Sequence, residues 1–304
     1  MNNPLVTVNI LSFNRKDELR ITLTKVFEQD YKNIEVIVVD NASSDGTQEM
    51  VKNEFPEVKL IGLKENIGIA GWNRGFEVAK GEYVLVLDDD AYPEKNVVKL
   101  IVQDFLNYPE HGAIALKVLN VYENNIVKPF PGGWVPINLE NKLDWCLILG
   151  CAFALRKILY IKDLFVQKYF INFHELPVVL QIFKSGYKIK YSNQATVYHI
   201  NQKFLKINKK KDCLHFRNMT NFIYHHFNKP KNITILIKIT IFYFTSSIRR
   251  GWFICYLKAI RELKEPLVIF TNYRFSDIET TKIINTGILN YKFISKFKFW
   301  NEKK

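Results

Sequence analysis

Long apolar runs are missing from this chain of 304 residues. No stretch offers roughly 18 uninterrupted apolar residues, so we predict no transmembrane helix. The first residues, MNNPLVTVNILSFNR, lack the charged start and long apolar core of a signal peptide, and we expect a cytoplasmic protein. Cysteine is also scarce, and its four positions form no CxxC pair and no zinc-type spacing with histidine. We expect Cys146, Cys151, Cys213 and Cys255 to be buried free thiols in a reducing compartment.

Basic charge is concentrated in the C-terminal third of the chain. Residues 201–304 contain 21 Lys and Arg against 6 Asp and Glu, whereas residues 1–200 contain 22 and 24. A content of 48% hydrophobic and 14% aromatic residues supports a folded core and excludes wholesale disorder. We infer a near-neutral folded body joined to a basic region that has a different task.

The first 120 residues alternate short apolar runs with amphipathic stretches. Runs rich in β-branched residues predict strands at 5–11, 34–40, 58–63 and 83–88. Apolar residues at helical spacing predict helices at 15–29, 43–55 and 69–80. Buried strands joined by helices predict an α/β fold with a mostly parallel sheet, in which ligands bind beyond the carboxyl ends of the strands. Further along, residues 175–191 predict a helix, a stop at Gly186 and a strand.

Three aspartates, Asp88, Asp89 and Asp90, follow the fourth apolar run in YVLVLDDDAYPE. Adjacent negative charges repel one another, and a carboxylate at the edge of a sheet resists desolvation. A solvated surface turn is one explanation. The other is a divalent cation with a diphosphate, because Mg²⁺ commonly takes one or two protein carboxylates together with phosphate oxygens.

The ordered segments VTVNILSFNR, IEVIVVDNASSDGT, ENIGIAGWNRG and YVLVLDDDAYPE strongly resemble the family-2 glycosyltransferases, of the bacterial polysaccharide and rhamnosyltransferase type. The resemblance covers about residues 5–200 and implies the GT-A fold, a Rossmann-like sheet flanked by helices. It implies that Asp40 contacts the base of a nucleotide-sugar donor and Arg74 its phosphates. Asp88 to Asp90 would form the DXD-type motif, with Asp90 on the metal, Asp88 near the ribose or metal, and Asp89 a donor contact or only a spacer. The other donor-binding candidates at these strand ends are Ser12, Asn14, Arg15 and Asn66.

The catalytic base is the position at which this sequence departs from the family. The family places a Glu-Asp pair before a Gly-Tyr turn, and the spacing from Gly186 and Tyr187 puts His174 and Glu175 there. We predict Glu175 as the base, with His174 as the second choice because imidazole titrates near neutral pH. The alternatives are that Glu175 only favours the N-terminus of a helix, or that activity is lost.

Three further positions match the acceptor side or the phosphate side of the family, and Trp134 is a candidate from its residue type. His199 would approach the metal or diphosphate, or serve only as a structural hydrogen-bonding residue. Arg217 in HFRNMTNF would help hold phosphate, and Gly150 in LGCAFALRK would allow close approach of the acceptor. Trp134 in PGGWVP would stack on a sugar, or belong to the core or a lid.

We divide the chain into a catalytic domain at 1–202, with a nucleotide-sugar half (1–120) and an acceptor half (121–202), and a helical basic and aromatic region at 203–304. Basic residues interleaved with aromatics suit nucleic acid or an anionic membrane surface, and the third reading is a helix pair that packs on the fold. No recognised nucleic-acid motif occurs, so we expect a membrane surface and no nucleic acid.

These observations together predict an inverting glycosyltransferase that depends on Mn²⁺ or Mg²⁺. It would move a sugar from a UDP- or dTDP-sugar to a saccharide acceptor, lipid-linked in our main hypothesis, during synthesis of a cell-surface polysaccharide at the inner face of the cell membrane. The alternatives are a non-catalytic nucleotide-sugar-binding or assembly subunit, and a sugar nucleotidyltransferase. The nucleotidyltransferase is less favoured because no Gly-rich triphosphate loop lies near the N-terminus.

Overall fold

The computed structural model describes residues 3–121, 127–129, 148–200, 209–228 and 231–265, with Arg274 and Ser276. Within these ranges nine strands form one mixed sheet. They are β1 (Val6–Ser12), β2 (Ile34–Asp40), β3 (Lys59–Gly62), β4 (Tyr83–Asp88), β5 (Ala91–Pro93), β6 (His111–Val121), β7 (Val127–Pro129), β8 (Ala152–Arg156) and β9 (Lys188–Ile200). Their order is β3-β2-β1-β4-β8-β6-β9-β5, and β7 pairs with β6.

The N-terminal half of the sheet is parallel. β1 pairs in parallel with both β2 and β4, and β2 pairs in parallel with β3. β6 and β9 are also parallel to each other, whereas β8, β5 and β7 run antiparallel to their neighbours. The predicted α/β fold is therefore confirmed, but the sheet is mixed rather than mostly parallel, because the strands after β4 add antiparallel pairings.

Helices cover both faces of the sheet. They are α1 (Lys16–Phe27), α2 (Thr47–Glu54), α3 (Gly71–Val78), α4 (Val97–Asn107), α5 (Glu175–Lys184), α6 (Lys209–His226), α7 (Lys231–Arg250) and α8 (Phe253–Arg261). Apolar residues of α1, α2 and α4 share one core with alternate strand residues such as Val8 and Leu85. Those of α3 and α5 to α8 share a second core with the other alternates, such as Val39 and Val86. Because successive side chains of a strand point to opposite faces, each strand contributes to both cores.

The strand register aligns the polar strand ends. Leu11 pairs with Asp88, Ser12 pairs with Asp40, and Asp40 pairs with Gly62. The carboxyl ends of β1 to β4 therefore lie along one edge. The strand order changes direction between β1 and β4, which is the position at which open α/β sheets bind ligands.

The last three helices pack on the body of the protein. Phe216 of α6, Tyr243 of α7 and Tyr256 of α8 lie in the same core as the strand residues on that face. No helix among the described residues combines the length and the apolar character needed to cross a membrane. The division of the chain at residue 202 stays a prediction.

The prediction of four free cysteines is wrong for two of them. Cys213 of α6 and Cys255 of α8 form a disulfide, with their Cα atoms 6.1 Å apart. The two helices pack side by side and bring together residues 42 positions apart, a contact that the spacing of cysteines does not reveal. Cys151 is free and buried, as predicted, and Cys146 lies outside the described residues.

Candidate active site

The three aspartates after β4 have different surroundings. Asp89 is buried, and its carboxylate accepts a hydrogen bond from the Phe13 backbone N–H at 3.0 Å and one from Arg15 at 3.1 Å. Asp90 is also buried and forms an ion pair with the same Arg15 guanidinium through Oδ2. Arg15 therefore supplies part of the positive charge that the aspartate run requires. The sequence suggested Arg15 as a donor contact, and that role stays a prediction.

Burial and mutual repulsion disfavour ionisation of these carboxyl groups. Burial raises the pKa of Asp89 to about 7, against the opposing charge of Arg15. Burial, and then the charges of Asp90 and Asp89, raise the pKa of Asp88 well above its usual value. Burial likewise raises the pKa of Asp90, again opposed by Arg15. A divalent cation bound here would favour the ionised carboxylates.

Asp88, Asp90 and His199 form a candidate metal centre. One potential ligand atom from each lies within 4.8 Å of the others. β9 pairs with β5 so that His199 stands opposite Ala91, the residue after Asp90, and His199 Nε2 lies 3.4 Å from Asp90 Oδ1. That oxygen is buried and has no hydrogen-bond partner among the described residues. Two carboxylates, one of which has a spare buried oxygen, and an imidazole fit a divalent cation.

The His199 ring is oriented by a neighbouring strand. Its Nδ1 lies 3.0 Å from the side-chain oxygen of Asn120 on β6. Burial, and secondarily the charge of Arg15, lower the pKa of His199 to about 4, which keeps the imidazole neutral near pH 7. A neutral ring is the form that ligates metals, and a hydrogen bond to its second nitrogen fixes the ring orientation.

Asp40 is the last residue of β2, and one of its two carboxylate oxygens accepts hydrogen bonds while the other does not. Oδ2 accepts hydrogen bonds from the Ser43 backbone N–H at 3.1 Å and from the Gln48 side chain at 2.7 Å. Oδ1 is buried and has no partner in the described part of the chain. A fully buried acceptor without a donor is costly, so Oδ1 suits an incoming N–H group.

The neighbouring loops are connected to one another. The side-chain oxygen of Asn14 accepts a hydrogen bond from the Ser44 backbone N–H at 2.8 Å, which joins the loops after β1 and β2. Ser12, at the end of β1, is buried beside Asp89. The contact between the loops gives Asn14 a structural reason to be polar, whereas the Ser12 hydroxyl is buried without a hydrogen-bond partner among the described residues. The roles of both residues toward a donor stay predictions.

The loop after β3 is held by two asparagines. Asn41 donates to the Gly68 carbonyl at 3.0 Å and accepts from the Ile67 N–H at 2.9 Å, while Asn66 accepts from the Gly68 N–H at 2.8 Å. Gly68 has a φ of +64°, and a Cβ there would lie 2.1 Å from the carbonyl oxygen of Phe170. Glycine is therefore required where this loop meets the segment that leads to Glu175.

Arg74 lies on the exposed side of α3. Its guanidinium pairs with Glu77, one turn further along, at 2.9 Å. Its described hydrogen bonds go to no other predicted site residue. A diphosphate that used Arg74 would have to compete with Glu77 for it.

His174 and Glu175, at the start of α5, lie against Gly150. A Cβ on Gly150 would stand 2.2 Å from His174 Nε2 and 2.9 Å from Glu175 Oε1. Both ring nitrogens of His174 and Oε2 of Glu175 are buried without hydrogen-bond partners among the described residues. The two side chains are 3.9 Å apart at Nδ1 and Oε2, and the His174 ring packs against Trp72 with centroids 5.4 Å apart. The Glu175 carboxylate thus has a buried oxygen that can accept a further hydrogen bond.

The segment before Glu175 is strained and is held from outside by α6. Phe170, Asn172 and Phe173 have φ values of 57°, 66° and 64°, a conformation that is costly for residues other than glycine. Asn218 of α6 donates to the carbonyl oxygens of Tyr169, Ile171 and Asn172 at 3.0 to 3.1 Å. Arg217 donates to the Lys168 carbonyl and to Asn218.

Gly150 and Cys151 connect the candidate metal centre with Glu175. The Asp88 backbone N–H donates to the Cys151 carbonyl at 3.0 Å, and Gly150 lies against the Glu175 side chain. Burial raises the pKa of the Cys151 thiol well above its usual value, and the charges of Asp88, Asp90 and Glu175 raise it further. Trp134 lies outside the described residues, so its stacking role stays a prediction.

Sequence reasoning missed several residues that build this site. Asn41 and Asn218 lie directly beside residues that it did select, Asp40 and Arg217, but a single asparagine carries no positional signal. Trp72 and Asn120 act through contacts with His174 and His199 that are remote in sequence.

The family model described as Glycosyl transferase family 2 matches residues 7–160. This chain belongs to glycosyl transferase family 2. The matched residues run from β1 to just beyond β8 and include Asp40 and the three aspartates. The predicted family is therefore confirmed, and the protein is a glycosyltransferase.

Two curated relatives of this family-2 glycosyltransferase differ in coverage. The UDP-Glc:alpha-D-GlcNAc-diphosphoundecaprenol beta-1,3-glucosyltransferase WfaP of Escherichia coli is 26% identical over 225 residues, which cover 72% of this chain and 86% of that protein. The poly-beta-1,6-N-acetyl-D-glucosamine synthase of Staphylococcus aureus (strain MSSA476) is 29% identical over 112 residues. That match covers 36% of this chain and only 27% of the synthase.

A solved structure supports the fold. The crystal structure of GalNAc-T7 with UDP, GalNAc and Mn²⁺ matches this glycosyltransferase with a TM-score of 0.63 at 14% identity. The match covers 88% of this chain and 59% of that one. At this identity the likeness shows the fold alone, and it confirms the predicted GT-A fold.

Proposed function

We propose that this family-2 glycosyltransferase moves one sugar from a nucleotide-diphosphate sugar to a hydroxyl group of a saccharide acceptor, with inversion at the anomeric carbon. The observation that carries the proposal is the cluster of Asp88, Asp90 and His199, which Cys151 and Gly150 connect to Glu175. A group of candidate metal ligands beside an unpartnered carboxylate suits a diphosphate leaving group next to an attacking hydroxyl.

Asp40 would recognise the base of the donor. Its unpartnered Oδ1 accepts hydrogen bonds only, so it suits an N–H group on a nucleobase edge. Uracil and thymine carry a ring N–H between two carbonyls, which favours UDP- or dTDP-sugars. Arg74 would contact the phosphates if the donor displaces Glu77 from it.

Glu175 would act as the general base. As the acceptor oxygen attacks the anomeric carbon, its proton passes to a Glu175 carboxylate oxygen, the bond from carbon to the diphosphate oxygen breaks, and the nucleoside diphosphate leaves. A single displacement of this kind inverts the configuration. Glu175 stands in the first turn of α5, which fixes its place relative to Gly150.

Asp88, Asp90 and His199 would hold Mn²⁺ or Mg²⁺. When bound, the ion would neutralise charge on the diphosphate. Arg15 would continue to orient Asp89 and Asp90.

The proposed acceptor class is supported by WfaP, the relative of which the match covers 86%. WfaP is named for a diphosphoundecaprenol-linked acceptor. We therefore infer a lipid-linked saccharide acceptor, a place in cell-surface polysaccharide synthesis and a location at the inner face of the cell membrane.

The test is sugar transfer by the purified protein with Mn²⁺, after a thermal-shift screen against UDP-, dTDP- and GDP-sugars. We expect Asp90→Ala to abolish metal-dependent transfer. We expect Glu175→Gln to lower kcat by ~10²- to 10⁴-fold, the usual contribution of a general base, while donor binding persists. Glu57→Gln, an exposed carboxylate elsewhere, is the matched control and should leave kcat unchanged.

Two results would contradict the proposal. If Asp90→Ala retained full transfer activity, the aspartates would not form the metal site. Donor binding without turnover in the wild type would instead favour the nucleotide-sugar-binding subunit. If Glu175→Gln is fully active and His174→Gln is not, the base is His174.

A further inference from the structure

One face of α7 exposes a row of large apolar side chains. Ile233, Ile237, Ile241, Phe244 and Ile248, here called the α7 stripe, are 44 to 65% exposed. Their spacing of three or four residues places them on one side of the helix. The opposite side, with Leu236, Ile239 and Tyr243, is buried in the core. The helix therefore has two apolar sides, and one of them packs in the core of the protein.

The surroundings of the α7 stripe are positively charged. Lys238 and Arg249 lie on the same exposed side of the helix. Residues 231–261 include six Lys and Arg and no Asp or Glu. α8 adds exposed Ile254 and Leu257, and the ring of Phe244 packs against Phe253 of α8 with centroids 5.7 Å apart.

We propose that the α7 stripe docks on an anionic lipid surface, with the helix lying along the membrane plane. Aliphatic and aromatic side chains would enter the boundary between headgroups and acyl chains, and Lys238 and Arg249 would meet lipid phosphates. Soluble proteins rarely leave a continuous apolar face of this kind exposed.

Charge favours a lipid surface over the two other occupants. A second copy of the chain would bring two basic helices together without an acidic residue between them. The remaining C-terminal stretch, residues 266–304, contains seven basic and three acidic residues and is also positive. An anionic bilayer satisfies both the apolar stripe and the surrounding positive charge.

Docking through α7 would also orient the candidate active site. Phe216 of α6 packs against Tyr243 of α7 and Tyr256 of α8, with ring centroids 5.1 and 5.0 Å apart. The next residues of α6, Arg217 and Asn218, hold the segment that leads to Glu175. A membrane-bound α7 would thus present Glu175 at a fixed height above the lipid. This last point rests on the proposed function, whereas docking itself does not.

The test is vesicle flotation with the full chain and no nucleotide sugar. We compare vesicles of phosphatidylethanolamine and phosphatidylglycerol with vesicles of phosphatidylcholine, for wild type, Ile237→Asp/Ile241→Asp and Ile158→Asp. Ile158 is 79% exposed and lies outside the C-terminal helices, so its variant is a matched control. We expect the double variant to bind anionic vesicles at least ~10-fold more weakly, because burial of a single isoleucine already contributes that much. Ile158→Asp should bind like wild type.

Thermal unfolding and gel filtration accompany each variant. We expect the double variant to melt at the wild-type temperature and elute at the wild-type volume. Equal vesicle binding by wild type and the double variant would overturn the proposal, as would equal binding to anionic and neutral vesicles. A lower Tm would mean that the stripe is covered within the chain, and a change in elution volume would mean that it joins two copies. Either result rejects docking on lipid. Because no sugar donor is present, failure here is separate from failure of the transfer assay.

Discussion

The proposed donor side of the candidate site, around Asp40, and its proposed base side, around Glu175, are held in different ways. On the donor side, Asp40 ends a central strand and bonds to Ser43 and Gln48, which are close in sequence. On the base side, Glu175 follows a strained segment that Asn218 supports from another helix. A substitution on the donor side should therefore change donor binding and leave the fold intact. On the base side, catalysis can be lost through substitution of residues that touch no substrate.

The strongest test of this difference is Gly150→Ala. The new methyl would collide with the side-chain ends of His174 and Glu175, so that both would have to shift. A displacement of about 1 Å at the base can lower kcat by roughly 100-fold. We expect a loss of that size with donor KM unchanged, measured by steady-state transfer. A kcat within a factor of two of wild type would show that the base side tolerates movement.

Asn218→Ala would weaken the support of the base-side segment. Three backbone carbonyls would lose their donor, and we expect the free energy of unfolding to fall by about 2 kcal/mol. We expect kcat to fall by about tenfold, with donor KM unchanged, since misplacement of the base by a fraction of an ångström is sufficient. Thr220→Ala is the control, because among the described residues the Thr220 hydroxyl donates to carbonyls of its own helix. An equal loss of kcat in the control would point to α6 as a whole.

Arg15→Met would remove the cation that faces Asp89 and Asp90. Because Arg15 is 43% exposed, we expect only about 1 kcal/mol of lost stability. Mn²⁺ should raise the Tm of the variant more than that of the wild type, since the ion would then supply the missing positive charge. If Mn²⁺ raised the Tm of both proteins equally, Arg15 and the ion would not neutralise the same carboxylates.

Arg74→Gln tests the donor side alone. The pair between Arg74 and Glu77 is exposed, so the Tm should not change. If Arg74 reaches the diphosphate, we expect donor KM to rise roughly two- to fivefold, as about 0.5 to 1 kcal/mol of exposed electrostatic interaction would give. Glu77→Gln, which frees Arg74, should leave donor KM the same or lower it. An unchanged KM in Arg74→Gln would remove Arg74 from the donor contacts.

The same difference between the two sides explains what the sequence could predict. Apolar runs that end in polar residues identify β1 to β4, and parallel strands must end at one edge, so the region around Asp40 and Asp88 to Asp90 follows from pattern alone. The spacing from Gly186 also identifies the start of α5 at Glu175. These signals are local.

Contacts between distant segments carry no such signal. The packing of helices decides three such contacts. They are the ion pair of Arg15 with the aspartates, the hydrogen bonds of Asn218 to the carbonyls before Glu175, and the disulfide between Cys213 and Cys255. A side chain can be recognised as polar from its letter, but its partner is set by the tertiary structure. The two glycines that matter most, Gly68 and Gly150, are revealed only by what stands opposite them.

The place of His199 on β9 has a consequence for folding. The candidate ligand set is complete only when β9 has joined the sheet beside β6 and β5, because His199 lies on that strand. The ion pair between Arg15 and Asp90 joins residues on either side of the neighbouring strands β1 and β4 and needs no part of β9. Arg15 can therefore offset the charge of the aspartates before the imidazole is in place.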